Sequence, residues 1–295
     1  MKHLRKYHQL FENTQELTQE QRDWLDKCTR GSWVVNPQTG LVDVNGNFFC
    51  GEQDLDSFKG VRFGTVSGHF YCTYSSLTSL EGSPQIVGGH FDCRNSSLTS
   101  LEGAPRSVRG SFDCSNNRLT SLEGAPQSVG GYFSCSNNRL TSLEGVPQRV
   151  VGTFDCSRNR LTSLEGAPQS VGGTFICFNN RLTSLEGSPH KVNGGFDCSH
   201  NMLTSLTSME GASQIMNRYF NCSNNPISEK MSERTIKGVL KRMSDKGISL
   251  EEAVEDYWKS IPKEDRPYLA KHHPGLSPDE RKGYEALLRL KSRVI

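Results

Sequence analysis

Long apolar runs are missing from this chain of 295 residues: no window approaches roughly 18 consecutive apolar residues, so no segment reads as a membrane-spanning helix. Net charge is missing as well. The 34 basic and 32 acidic residues leave +2, and bulk electrostatics therefore implies neither a nucleic-acid nor a membrane partner. The N-terminus is basic, but no apolar segment or small-residue cleavage site follows it, so no secretory signal is expected. Apolar residues make up only 34%, too few for one large globular core. The sequence also lacks a Ser/His/Asp set, a phosphate-binding glycine loop and any CxxC spacing. No catalytic residues, no cofactor site and no metal site are assigned, and an enzyme is not expected.

What is present in excess is Ser, Thr, Asn and 28 glycines, laid out in a repeat. LTSL recurs at a strict 21-residue spacing, at Leu77, Leu98, Leu119, Leu140, Leu161, Leu182 and Leu203. A fixed period in this range, with leucines, an aromatic and an asparagine in register, marks a solenoid whose coils bury their apolar side only by stacking. In the coil 129–143, VGGYFSCSNNRLTSL, Phe133 and Cys135 alternate with Tyr132, Ser134 and Ser136, the period-two pattern of a short strand with one buried face. Leu140 and Leu143 follow, Gly145 and Pro147 make the return corner, and Val150 points back inward. Nine of the ten cysteines follow the same period, one per coil from Cys72 to Cys198 with Cys50 and Cys222 nearly in step. Stacked strands stand ~4.8 Å apart, so neighbouring thiols are within disulfide reach, yet pairing would single out alternate coils of a uniform stack. They are read as reduced, buried thiols of a protein in a reducing bacterial cytosol.

The stretch F-x-C-x-x-N-x-L-x-x-L resembles the leucine-rich-repeat consensus LxLxxNxLxxL. The resemblance covers residues 45–227, about nine coils with strand pairs from Phe48/Cys50 to Phe220/Cys222. It implies a mainly β repeat solenoid with a parallel sheet. It also implies a buried asparagine row that bonds backbone along the stack, here Asn117, Asn138, Asn159, Asn180, Asn201 and Asn225, with Ser75 and Ser96 at the same position in the first coils. The short, Gly- and Pro-bearing return resembles bacterial and phage repeats. It departs from secreted bacterial ubiquitin-ligase effectors, which carry LPxLP where this chain has LTSLEG.

Function is then expected from positions the repeat leaves free. In this family the concave sheet is the usual partner surface, and the aromatics and charges there are Tyr71, His90, Arg94, Tyr132, Ile176, Phe178 and Tyr219. A second candidate is the register row Arg118, Arg139, Arg160 and Arg181, a stripe for an anionic partner, set against a solvated row Glu81 to Glu186. Residues 1–44 read as an N-terminal cap. Thr18 with Gln21 is a capping box for a helix to about Lys27 that turns Trp24 and Leu25 inward, and Trp33–Val35 and Leu41–Val44 form a hairpin. Residues 228–295 read as a C-terminal helical cap or docking unit, with helix spacing over Ser232–Met243 and further starts at Ser249 and Ser277. Met1–Glu12, MKHLRKYHQLFE, resembles capsid-targeting peptides of large tailed phages, which implies cleavage after Glu12. The expected function is a non-catalytic protein-binding scaffold of a bacterium or phage. Its alternative is a structural or head-packaged virion protein, and an imperfectly capped stack would also self-associate end to end.

Overall fold

A computed structural model of the chain describes residues 16–51, 55–204, 219–226, 238, 241–242, 245–248 and 250–260. These fall into two compact units, 1–155 and 156–295. The readings placed on Glu12, on most of Ser232–Met243, on Ser249 and on Ser277 lie outside the described residues.

The first unit opens with helix α1, Gln19–Cys28. Thr18 caps it through both halves of a capping box: its Oγ1 accepts from Gln21 N, and Gln21 Oε1 accepts from Thr18 N. Trp24, Leu25 and Cys28 are its buried face. Trp24 sets its ring edge-on to Phe48 at 5.3 Å and to Phe63 at 6.3 Å, closing the apolar end of the first coil. The hairpin is longer than the sequence suggests. Its strands are β1, Thr29–Val35, and β2, Val42–Phe49, paired antiparallel from Thr29↔Phe48 to Val35↔Val42. Gly31 faces Gly46 in that pairing, with φ +139° and +133°, and a Cβ on Gly31 would lie 2.0 Å from Asn45 O. Only glycine fits this close approach.

Each following coil contributes two short strands, where the sequence reading expected one. The expected strands, the Phe-x-Cys series, are β4 (Phe70–Tyr71), β6 (Phe91–Asp92), β8 (Phe112–Asp113), β10 (Phe133–Ser134) and β12 (Phe154–Asp155). They pair in parallel, with Phe48, Phe70, Phe91, Phe112, Phe133 and Phe154 in one register. The second series is β3 (Phe63–Val66), β5 (Ile86–Val87), β7 (Ser107–Val108), β9 (Ser128–Val129) and β11 (Arg149–Val150), paired in parallel from β3 to β11. Two-residue strands have no alternation of their own. They exist because each inward valine stacks on the last and its backbone bonds the coil before, as in Arg109 N to Val87 O.

The second unit repeats the plan. Strands β13 (Ser170–Val171) and β15 (Lys191–Val192) pair in parallel, as do β14 (Phe175–Ile176), β16 (Phe196–Asp197) and β17 (Phe220–Asn221). It also contains helix α2, Leu250–Ser260. Arg242 clamps this helix, with its guanidinium 3.0 Å from Asp256, 2.7 Å from Ser260 Oγ and over the Tyr257 ring.

Within each unit the core is a set of rows. Phenylalanine rings stack at 5.2–5.6 Å from Phe48 to Phe154 and at 5.1–5.9 Å from Phe175 to Phe220, each pair adding about 0.5–1.5 kcal/mol beyond its burial. The cysteines are buried and none is in a disulfide. Their thiols donate to the next coil's carbonyls, as from Cys93 to Asp113 O at 3.4 Å and from Cys198 to Asn221 O at 3.4 Å.

The asparagine row is buried and bonds backbone, as the resemblance implied. Asn138 Oδ1 accepts from Leu119 N at 3.0 Å, and its Nδ2 donates to Cys114 O, Cys135 O and Ser136 O at 3.1–3.3 Å. Asn201 makes the same four bonds in the second unit, to Leu182 N, Cys177 O, Cys198 O and Ser199 O. One side chain thus satisfies donors and acceptors from two successive coils. The first coils use Ser75 Oγ, which donates to Cys72 O and meets Ser96 Oγ at 2.9 Å.

The residue before each ladder asparagine has a different task. Asn95, Asn116, Asn137, Asn179 and Asn224 all sit at φ +53° to +56°, with Tyr74, Arg158 and His200 in the same conformation. Asparagine tolerates this left-handed corner better than most side chains.

Candidate interaction surface

In the first unit the outward strand positions form a polar and aromatic face. Phe49 stacks on Tyr71 at 5.2 Å, and His69 lies 5.6 Å from Tyr71 and flat against His90 at 4.7 Å. His90 is exposed, but its Nδ1 accepts from Ser111 N at 2.8 Å, as His69 Nδ1 accepts from His90 N. Both rings therefore carry their neutral-form proton on Nε2. The same bond is donated by His69 N to Asn47 Oδ1, by Tyr132 N to Ser111 Oγ and, in the second unit, by Gly195 N to Thr174 Oγ1. At Asn47, His69, His90, Ser111 and Thr174 the residue before the core phenylalanine is thus an acceptor for the next coil. His90, singled out from sequence for binding, is engaged in the stack.

Asp92 and Asp113 stand at outward strand positions of this face, yet they are only 5% and 6% exposed. Arg94 and Tyr132 lie over them. Arg94 Nε is 3.3 Å from Asp92 and Nη1 is 3.7 Å from Asp113, while Tyr132 Oη donates to Asp113 at 3.5 Å. Each aspartate also accepts from the backbone N–H two residues on, Arg94 N and Ser115 N. Burial raises the Asp92 carboxyl to about 6, against the Arg94 N–H bond and with the Asp113 charge adding to the rise. Burial likewise pushes the Tyr132 phenol to about 12, with Asp113 next in effect. Arg94 is thus held between two carboxylates with part of its guanidinium outward, and Tyr132 remains 40% exposed.

In the second unit Ile176 and Phe178 are half-buried, Arg158 holds its guanidinium 5.7 Å over the Phe178 ring, and Tyr219 is 54% exposed. Arg118 and Arg139 in the first unit, and Arg160 and Arg181 in the second, are exposed.

Sequence reading missed two exposed aromatics, Phe49 (40%) and Tyr74 (61%). Carrying the strand register one coil back from Tyr71 reaches Phe49; Tyr74 occupies the left-handed corner and had no such signal. It also missed the serine of LTSL, whose Oγ accepts the glutamate N–H two residues on, as at Ser121 and Glu123, Ser142 and Glu144.

Burial pushes the thiols of Cys93, Cys114, Cys135 and Cys198 well up, so they are held as unreactive thiols. Among the described residues no group of three or more His, Cys, Asp or Glu side chains is placed to hold a metal ion. Among them, too, no helix is long and apolar enough to cross a membrane. What the face can do is present a rigid, stepped arrangement of aromatic rings and one caged guanidinium.

No protein-family model and no curated protein matches this chain. Among solved structures, similarity is found to the functional domain of InlJ from Listeria monocytogenes, a domain reported to include a cysteine ladder. The identity is 16% and the TM-score 0.36, over 67% of this chain and 52% of that one. The chain thus spans about half of that domain's length.

Proposed function

We propose that this protein is a non-catalytic scaffold that binds another protein through the concave strand faces of its coils, in the reducing interior of a bacterial cell. One observation carries the reading. The residues that every coil repeats are consumed by the stack, and the side chains left free on the strand face include large aromatics. Phe, Cys, Leu and the second Asn of each coil are buried. Phe49, Tyr71, Tyr132, Phe178 and Tyr219 are not, and rings held on a rigid surface are strong interface anchors because little side-chain entropy is lost on binding. Thiols committed to backbone carbonyls rather than to one another support a reducing compartment.

The test is an affinity capture from bacterial lysate with the wild type beside Tyr132→Ala in the first unit and Phe178→Ala in the second. A protein retained by the wild type and lost by either variant, at an unchanged unfolding midpoint, supports the reading. Equal recovery by all three would remove the concave face from the argument.

A further inference from the structure

Beyond the concave face, the arginines at the coil corners define a second surface. Arg118 and Arg139 in the first unit follow the ladder asparagine directly and precede a fully buried leucine. Their backbone is fixed to the coil before, Arg118 N to Leu98 O and Arg139 N to Leu119 O at 2.9 Å. Arg181 N donates likewise to Leu161 O at 2.8 Å in the second unit, where Arg160 holds the same place one coil earlier. Successive guanidiniums therefore leave the backbone at the rung spacing of ~4.8 Å.

These arginines differ from other cations of the chain. Lys59 meets Glu20, Arg94 meets Asp92 and Asp113, and Arg242 and Lys246 meet Asp256. Among the described residues Arg118, Arg139, Arg160 and Arg181 meet no carboxylate. Each coil's glutamate lies five residues on, past two buried leucines, at a corner where its N–H is held by the LTSL serine. The row alongside, Asn116 and Asn137 in the first unit and Arg158 and Asn179 in the second, adds amides and a further cation but no acid. Two like charges at this spacing repel by about 1 kcal/mol in water, a cost that a row of anions would reverse.

We infer that these corners bind an acidic polypeptide segment. An extended acidic strand places alternate side chains ~6.7 Å apart, within reach of splayed arginines that can take a carboxylate in both prongs. Nucleic acid fits less well, because no aromatic side chain interleaves with the arginines in their own row, and the Phe178 ring beside the second unit's row is covered by the Arg158 guanidinium.

The test measures fluorescence anisotropy of a labelled oligoglutamate peptide with the full chain at low and high salt. Arg118→Gln/Arg139→Gln and Arg160→Gln/Arg181→Gln are compared with a charge-matched control, Arg106→Gln/Arg109→Gln, at exposed positions of the first unit. The expected result is salt-sensitive binding that each corner pair weakens by roughly fivefold or more, with arginine-to-lysine versions retaining most of it and the control little changed. Absence of binding at low salt, or an equal loss in the control, would overturn the inference. So would tighter binding of a single-stranded oligonucleotide of equal charge that shows the same losses.

Discussion

Replacing Asn138 by alanine removes four hydrogen bonds at once, but they do not weigh equally. Cys114 O keeps a donor in Asn117 Nδ2, and Ser136 O keeps one in Asn116 N. Leu119 N, in a fully buried residue, loses the Oδ1 that it donates to. An orphaned buried N–H costs about 1–3 kcal/mol, and the weakened carbonyl bonds add about 1 more, so the expected loss is about 2–4 kcal/mol. The adjacent Asn137 supplies the contrast. It is exposed, sits at φ +53°, and makes one side-chain bond to Asn116. Asn137→Gly relieves the backbone while losing that bond, and should stay within about 1 kcal/mol of the wild type. Urea unfolding of both variants decides the matter, read as the midpoint at constant slope. The ladder argument fails if Asn138→Ala costs under about 1 kcal/mol, or no more than Asn137→Gly.

Further expectations follow from other rows. A thiol reagent should find almost no reactive cysteine in the native protein and all ten after denaturation; rapid native labelling of several would contradict the buried ladder. Gly31→Ala would drive a Cβ to within 2.0 Å of Asn45 O and should cost more than about 3 kcal/mol or prevent folding, while Gly60→Ala, with 3.4 Å to the nearest atom and φ +75°, should cost about 1–2 kcal/mol. Asp92 is harder to ionise folded, at about 6, than an ordinary aspartate at 3.8. The folded state therefore holds its proton more tightly, its contribution is greatest below about pH 4, and it is lost as pH rises through 6. Asp92→Asn should flatten stability over that window, and an unchanged pH profile would refute the assignment.

The parts of this molecule that sequence exposes are those where each coil makes the same choice. Phe133, Cys135, Leu140, Leu143 and the Asn138 amide were all placed correctly because burial and period coincide. The capping box at Thr18 is equally local, two side chains three residues apart. What escaped depends on the coil next door. The second strand, as at Ser128–Val129, has no alternation to betray it and arises only from stacking. Asp92 and Asp113 sit at outward register positions and are covered by Arg94 and Tyr132 from neighbouring positions. Of the two asparagines of each SNN, the resemblance marked the second for the buried row, while the left-handed role of the first had no signal. The ring nitrogen of His90, a residue named from sequence for recognition, was not read as also accepting the Ser111 N–H.

The coil-to-coil bonds carry a consequence for how such a chain can change length. The asparagine rungs address their neighbours by the same atoms, so one such coil inserted or removed whole leaves each remaining donor with an acceptor of the same kind. Between Cys198 and Cys222 the spacing widens from 21 to 24 residues. Even so, Asn225 still reaches Leu203 N at 2.9 Å and Cys198 O at 3.0 Å. The ladder reads rungs, not residues. Slippage of the gene by one repeat unit would yield a taller protein with the same ends, and recognition sites could be gained or lost a storey at a time.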